Sequence, residues 1–492
     1  MEYFVTSAEM KQCDQSTIFD FKMPSVVLME RAALACVETL IQSSFDLSHV
    51  LVVCGSGNNG GDGFAIARIL KQKHINVEVL FAGNEESCTP DTRLQKEICK
   101  NYGVKLCSKA EFNEYTSIVD AIFGIGLSRE IQGIYRELIE LINQSSAKVL
   151  SVDIPSGIHC DTGSIMGIAV NADITVTFAF KKRGHFIGPG RDYTGEVIRK
   201  DIGITEDGFA GTYPKAYSYN CMEDMKLRKR TRYANKATFG KALIIAGSQN
   251  MSGAALLTSK AAYRTGTGLV HIFSGECNRI TLQQGLPEAL MTPYEEGTGH
   301  QMLRNILHWP SVIGFGPGAG IDEDKLKILE LLIGESRVPL VLDADALTLL
   351  SKHREMLKGH KQPIIITPHV GEMVRLCNMS KEEIINDLAG AAVGFAKEYQ
   401  VICVLKDAGT IVTNGEEIFI NQTGNSGMAT GGSGDVLTGI ITGLIAQGNP
   451  PFRSACAAVY LHGLSGDAAY QKYGGHGMLA GDIIDGLQQV LR

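Results

Sequence analysis

The sequence predicts an α/β protein of two successive domains, each built on a largely parallel sheet covered by helices on both faces. Two observations carry that prediction. Short apolar runs of strand type alternate with helical stretches along most of the chain, the pattern of strands buried on both faces. The alternation fails once, over 213–238, leaving a full α/β set on either side. The 492 residues suffice for two or three domains with complete cores.

The first set begins with PSVVLMERAALACVETLI (24–41), whose apolar residues recur at helical spacing. HVLVVC (49–54) is a buried strand, followed by a glycine-rich loop and a helix over 64–72. Further strands fall at 75–82, 117–124, 148–155 and 172–180, with helices over 91–102 and 134–144. The break at 213–238 has no strong apolar run but a basic cluster, Lys226, Arg228, Lys229, Arg230 and Arg232. Only Tyr233 interleaves it, so it reads as a solvated linker or docking strip rather than a nucleic-acid surface. Alternation resumes with strands at 241–248, 268–275, 311–318, 339–347, 363–369 and 401–410, with helices over 322–334 and 380–398. After 432 the chain is helical to its end.

Composition narrows the function. The formal charge of −7 excludes a chain-wide nucleic-acid footprint. The 12 Cys form no C-x-x-C pair and sit in apolar runs, as small core residues in a reducing compartment do. The N-terminus carries no basic and apolar leader, and no apolar stretch is long enough for a membrane span. A soluble, cytoplasmic protein is expected. The 55 Gly imply many close backbone approaches.

Three constellations carry chemistry. GSGNNGGDG (55–63) follows a strand and satisfies G-x-G-x-x-G, yet two Asn, an Asp and extra Gly suit a polar site better than a dinucleotide loop. VDAIFGIG (119–126) and VDIPSG (152–157) place Asp120 and Asp153 at the carboxyl ends of strands, where open α/β sheets bind ligands. With Asn59 and Ser156 they offer oxygen ligands for potassium or sodium; each Asp could instead cap a helix. GNSGMATGGSGDVLTGIITGL (424–444) runs small residues into a helix. There the amides of Gly432, Ser433 and Gly434 suit an anion, and Asp435 suits a base beside a phosphate. Lys241 is followed by Ala242, so no P-loop exists. His369, Lys406, and Asp343 with Asp345 are supporting candidates; the two Asp face the same way if their strand continues.

In the first half, GSGNNGGDG, VDAIFGIGL, VDIPSGIHCDTG and GPGRDYTGEV resemble the NAD(P)H-hydrate epimerase domain. In the second, FGKALIIAGS, GFGPGAG, LDADAL, TPHVGEM, LKDAGT, GNSGMATGGSGDVLTGII and HGMLAGDII resemble the NAD(P)H-hydrate dehydratase domain. The resemblance implies a Rossmann-like three-layer parallel-sheet domain over 1–213, a linker over 214–236 and a ribokinase-like α/β domain over 237–492. It implies repair of hydrated nicotinamide cofactors. The first domain would interconvert the R and S forms of NADHX and NADPHX. The second would dehydrate the S form at the expense of ADP or ATP, by phosphorylation and elimination.

The implied substrate contacts are Asn58, Asn59, Gly60, Gly61, Asp62, Gly124, Ile125, Gly126, Leu127, Ser128, Arg129, Glu130 and Asp153. In the second domain they are Ala254, Gly318, His369 and Asp435. Asn59, Asp120 and Ser156 would hold potassium. Lys406, Asp407, Ala408, Gly409, Thr410 and Gly434 would contact the nucleotide, which brings magnesium. Asp407 stands where the family usually has Gly, Val370 and Ser426 where it has Pro. Asp153 is the expected acid/base of epimerisation, with Asp120 the alternative, and Asp435 the base of dehydration. A homo-oligomer acting on small molecules, without nucleic acid or membrane, is expected. The rival readings are a nicotinamide dehydrogenase on the literal G-x-G-x-x-G, a small-molecule kinase on GGSGD alone, and a ligand sensor.

Overall fold

The computed structural model describes every residue except Glu296 and Arg492. The chain forms two compact units, Tyr3–Ala216 and Tyr217–Arg492, the second including Met1–Glu2.

In the N-terminal unit seven parallel strands lie in the spatial order Lys105–Cys107, Val77–Phe81, Val50–Cys54, Ser117–Ala121, Lys148–Val152, Ile174–Phe178, Glu196–Lys200. The chain starts in the middle at Val50–Cys54 and works outward on one side. It then returns to pair Ser117–Ala121 on the other. The crevice at the carboxyl ends of those two strands is a topological switch point, the place where such sheets bind ligands. Val50, Val52 and Cys54 pack with helices Ser25–Gln42 and Asn58–Gln72, whereas Leu51 and Val53 pack in a separate core with Leu138, Ile139 and Ile142 of Ile134–Gln144. This two-residue alternation into two cores makes the unit three-layered.

The C-terminal unit repeats the logic. Seven parallel strands run in the order Leu290–Tyr294, Leu269–Gly275, Lys241–Ile245, Val312–Phe315, Leu340–Leu342, Ile364–Ile366, Ile402–Leu405. An antiparallel pair, Ile411–Thr413 and Ile418–Ile420, follows beyond Ile402–Leu405. Its switch point lies between Lys241–Ile245 and Val312–Phe315. Helix Ser433–Ala446 covers one face, burying Val436, Leu437, Ile440 and Ile441 with Ala242, Ile244 and Val341. Helices Pro451–Gly477 and Ala480–Val490 complete the helical C-terminus.

The structure departs from the sequence reading in several places. The glycine-rich segment is largely helix, because Asn58–Gln72 starts inside it. The stretch 380–398 divides into Lys381–Asn386 and Leu388–Tyr399, since Asp387 caps the second by accepting from the Gly390 amide at 2.8 Å. The strand expected over 339–347 stops at Leu342, and helix Asp345–Lys352 begins after Ala344 at φ 47°. Short edge strands at Lys105–Cys107, Glu196–Lys200 and Leu290–Tyr294 carry no strong apolar run and were not legible. The segment expected as a linker is docked from Tyr217 onward. Tyr217 and Tyr219 pack on Phe419, Tyr219 also on Tyr460, and Met225 is buried. The basic cluster is a docking strip: Arg228 donates to the Gln447 carbonyl and Arg230 to that of Gly266.

Candidate active sites

In the N-terminal unit the glycines let the helix start press onto the strand ends. A Cβ on Gly55 would stand 2.1 Å from the Ile122 carbonyl oxygen, and one on Gly60 1.9 Å from that of Gly55. Gly60 and Gly61 are buried by this packing, behind a cavity of about 710 Å³ lined by Asn58, Asn59 and Asp62. Gly124, Ile125, Gly126, Leu127, Ser128 and Arg129 line it opposite, while Glu130 is exposed outside the lining.

Asp120 is fully buried under this wall. It accepts from the Ser151 hydroxyl at 2.8 Å, the Ser156 hydroxyl at 2.5 Å and the Ser156 amide at 2.9 Å. Burial pushes its carboxyl up, and these hydrogen bonds pull it back. A Cβ on Gly124 would lie 3.4 Å from Asn59 Oδ1, so Asn59 stands at the same strand ends. Its buried Nδ2 has no hydrogen-bond partner among the described residues. Asp120 is locked into four hydrogen bonds and does not line the cavity, which leaves Asp153 as the strand-end carboxylate facing it.

Asp153 leaves strand Lys148–Val152 at φ 69°, a left-handed conformation strained for a non-glycine residue. Its carboxylate pairs with the ammonium of Lys182, which is only 1% exposed. Lys182 also donates to Thr177 Oγ1 at 2.8 Å, and Thr177 in turn to Asp153 at 3.1 Å. His185 ties the assembly to the backbone. Its Nδ1 accepts from the Lys182 amide at 3.2 Å, so Nε2–H donates to the Asp153 carbonyl at 3.0 Å. Burial and then Lys182 push this imidazole down to about 3 and keep it neutral.

Two further carboxyls enter the same cavity. Asp14, from helix Ser7–Phe19, is pushed up to about 6 by burial, with Lys182 opposing and Asp153 adding. Asp62 is driven well above the carboxylate range by burial, then by Asp153 and Asp14. Asp14 and Lys182 are the functional candidates the sequence reading missed. Signals existed: Thr6 and Glu9 spell a capping box that opens the helix carrying Asp14. Lys182 stands just past the strand ending in FAF, on the ligand-binding edge.

In the C-terminal unit helix Ser433–Ala446 starts after Gly432 at φ 89°, without a side-chain cap. Of the three amides expected to face an anion, that of Ser433 is already donated to the Thr430 carbonyl at 3.3 Å. The amides of Gly434 and Asp435 find no carbonyl among the described residues, as first-turn donors do. Asp343, nearly fully buried, accepts from Lys406 Nζ at 2.7 Å and from Thr438 Oγ1 at 2.7 Å. A Cβ on Gly434 would lie 3.4 Å from Lys406 Nζ, so the helix start sits on this pair. Asp435 is pushed up to about 6 by burial and Asp343, partly offset by Lys406. The Lys406 ammonium therefore serves the Asp343–Asp435 cluster, while Asp407 and Thr410 form their own turn, Thr410 donating to the Asp407 carbonyl at 3.0 Å.

Asp343 and Asp345 do not face the same way, because the strand stops before them. Asp345 accepts from the Gly320 amide at 2.8 Å. His369 caps helix Val370–Cys377, its Nδ1 accepting from the Gly371 amide at 2.9 Å, and its backbone bridges to Lys406. Gly318 and Ala254 meet at the switch point, where a Cβ on Gly318 would stand 3.0 Å from Ala254 Cβ.

A family model described as NAD(P)H-hydrate dehydratase matches residues 242–489, and one described as YjeF-related protein N-terminus matches residues 25–184. The bifunctional NAD(P)H-hydrate repair enzyme Nnr of Moorella thermoacetica is 35% identical over 100% of this chain and 97% of its own length. The chain belongs to this family. A second bifunctional repair enzyme, from Escherichia coli K12, is 35% identical over 94% of this chain and 89% of its own. The solved ADP/ATP-dependent NAD(P)H-hydrate dehydratase of Bacillus subtilis, co-crystallised with ATP and magnesium, matches with TM-score 0.50 and 30% identity, over 55% of this chain and 95% of its own. A ribokinase-like superfamily protein from Enterococcus faecalis matches with TM-score 0.51 and 28% identity, over 56% of this chain and 95% of its own. The repair-enzyme fold is thus ribokinase-like in its second unit, and the Gly-x-Gly-x-x-Gly stretch of the first packs helix against strands.

Proposed function

We propose that the N-terminal unit interconverts the R and S forms of NADHX and NADPHX, and that the C-terminal unit dehydrates the S form using ADP or ATP. The observation that carries this reading is the pair of separate acid/base clusters, Asp14–Asp62–Asp153–Lys182 and Asp343–Lys406–Asp435, each at the carboxyl ends of its own parallel sheet.

Inverting a hemiaminal carbon requires its hydroxyl to leave and return on the other face, or the ring to open and reclose. Both routes need a proton given and a proton taken. Asp14 and Asp62, driven up by burial, are the donors. Asp153, ion-paired with Lys182 at the cavity wall, is the acceptor. Asn59 Oδ1, Asp120, Ser156 and the Phe123 carbonyl, to which the Ser156 hydroxyl lies within hydrogen-bond reach, form an all-oxygen set, which suits potassium. When bound, the ion supplies positive charge to order the 124–129 segment against the substrate phosphates. Asn59→Ala should remove any potassium dependence of epimerisation; unchanged potassium titration curves would refute the site.

In the second unit Asp435 takes the proton of the C6 hydroxyl as that oxygen attacks the terminal phosphoryl group. The amides of Gly434 and Asp435, with Lys406, face the charge that develops. Phosphate then leaves C6 as the ring nitrogen donates electrons, and loss of the C5 proton restores the dihydropyridine. Among the described residues no three His, Cys, Asp or Glu side chains group as a metal site. Magnesium would therefore be held mainly by phosphate oxygens. The test is absorbance at 340 nm. Hydrated NADH with ADP or ATP and magnesium should regain absorbance, and a stable phosphorylated product without recovery would favour a kinase.

A further inference from the structure

Helix Pro451–Gly477 brings His462 to the start of helix Ser433–Ala446, where its Nε2 stands 3.3 Å from Ser433 Oγ. Neither side chain is among the acid/base groups of that site. The contact is held from both directions by the loop that leads into Ser433. Before His462, the Tyr460 carbonyl accepts from Thr423 Oγ1 at 3.0 Å. After it, Asp467 accepts from the Gly424 amide at 3.0 Å and from Asn425 Nδ2 at 2.9 Å. A Cβ on Gly463 would stand 2.1 Å from Thr423 Oγ1, so the loop lies directly on the helix beside His462.

Ser433 is the first residue of its helix, and its amide is already donated to the Thr430 carbonyl. What it can still offer an anion is its hydroxyl. A side chain on a helix leans back towards the N-terminus, which is where an anion binds. A hydroxyl donates one hydrogen bond and accepts others, whereas a phosphoryl oxygen only accepts. With an anion in place, Ser433 therefore donates to it, and the ring nitrogen beside Oγ carries the proton and donates to Oγ. Burial pushes the His462 imidazole down to about 4, a hydrogen bond to the Ser433 backbone opposing and Lys406 adding. The ring thus stays neutral, with one proton to place. We propose that Ser433 donates its hydroxyl to the phosphoryl group in transfer, and that His462 is the positioning residue that fixes the direction of that donation. The pair supplies the donor that the Ser433 amide does not, and hydrogen bonds in series polarise one another. This role rests on the dehydration assigned above to the C-terminal unit.

The experiment is steady-state dehydration of purified S NADHX by the full chain with nucleotide and magnesium, read at 340 nm, beside a nucleotide-binding titration. Ser433→Ala should lower kcat about 10²-fold, the effect of removing one donor to developing charge, with nucleotide affinity little changed. His462→Phe should lower kcat about tenfold, the scale of coupling within one hydrogen-bond network, and should cost nothing further in the Ser433→Ala background. Ser433→Thr keeps the hydroxyl and His462→Gln keeps an N–H donor, so both should recover most of kcat. A parental kcat in Ser433→Ala overturns the proposal, and so do additive losses in the double variant. Equal losses of kcat and affinity that neither Thr nor Gln repairs would make the pair structural. Phosphate found covalently on Ser433 would mean that His462 accepts and the hydroxyl is a nucleophile. A parent that regains no absorbance overturns the dehydration reading itself, and this role with it. Epimerisation by the same preparations reports that each chain is folded.

Discussion

At the residue scale, Asp435 and Lys182 show how function sits against stability. The folded state holds the Asp435 proton until about pH 6, against the usual 3.8, so this group's contribution is most favourable below 3.8 and declines as the pH rises through 6. Asp435→Asn should therefore raise the stability of the C-terminal unit at neutral pH by on the order of 1–3 kcal/mol, with little gain below the window. Dehydration should fall by on the order of 10²–10⁴ while nucleotide binding persists. Thermal melts at pH 3.5 and 7.5 beside a 340 nm assay check this, and near-normal turnover would remove Asp435 as the base. Lys182→Met should abolish epimerisation and cost about 3–5 kcal/mol in the N-terminal unit, since it strands Asp153 without its partner. The double change Lys182→Met with Asp153→Asn should recover much of the stability but not the activity; recovered epimerisation would make the pair merely structural. Asp435 was legible in the sequence because its motif concentrates small residues before a helix. For Lys182 and Asp14 the sequence offered only their positions, one just past a strand and one on a capped helix, because what marks them as functional is burial in one cavity.

At the element scale, the glycines of helix Ser433–Ala446 divide into two jobs. Gly434 leaves room for Lys406 and the site, whereas Gly439 and Gly443 admit the neighbouring helix Ser252–Arg264. A Cβ on Gly439 would stand 2.2 Å from the Thr258 carbonyl oxygen, and one on Gly443 2.0 Å from Thr265 Oγ1. Gly439→Ala should cost about 1–3 kcal/mol or more through overpacking, with dehydration reduced and epimerisation spared. A denaturant melt resolving the C-terminal unit checks this, and an unchanged midpoint would show that the helices separate freely. The sequence reading placed Gly432, Ser433 and Gly434 at an anion site and gave Gly439 and Gly443 no role. The four-residue spacing of Gly439 and Gly443 was visible, but which helix would press on it depends on tertiary contact. Strand positions were legible where both faces are buried, as in VLVVC, and failed at short edge strands, where half-exposed residues give no apolar run.

At the scale of the whole molecule, the start of the C-terminal unit lies at Tyr217 rather than after the basic cluster. A fragment beginning at Tyr217 should be soluble and should dehydrate the S form. One beginning at Ala237 loses Tyr217, Tyr219 and Met225 from the core and should aggregate. Equal solubility would mean these aromatics are dispensable. The sequence reading put the boundary where alternation stops, yet a segment can dock on a core through two tyrosines and a methionine without any period. Under the proposed function, two sites in one chain divide the work between two substrate forms. The most direct measurement is the initial rate of recovery at 340 nm from purified R and S NADHX, with nucleotide and magnesium, for the parent, Asp153→Asn and Asp435→Asn. The parent should restore both forms, Asp153→Asn should restore S at the parent rate but R only as fast as it epimerises unaided, and Asp435→Asn should restore neither while still interconverting them by chromatography. Restoration of R by Asp153→Asn at the parent rate would contradict this division of work.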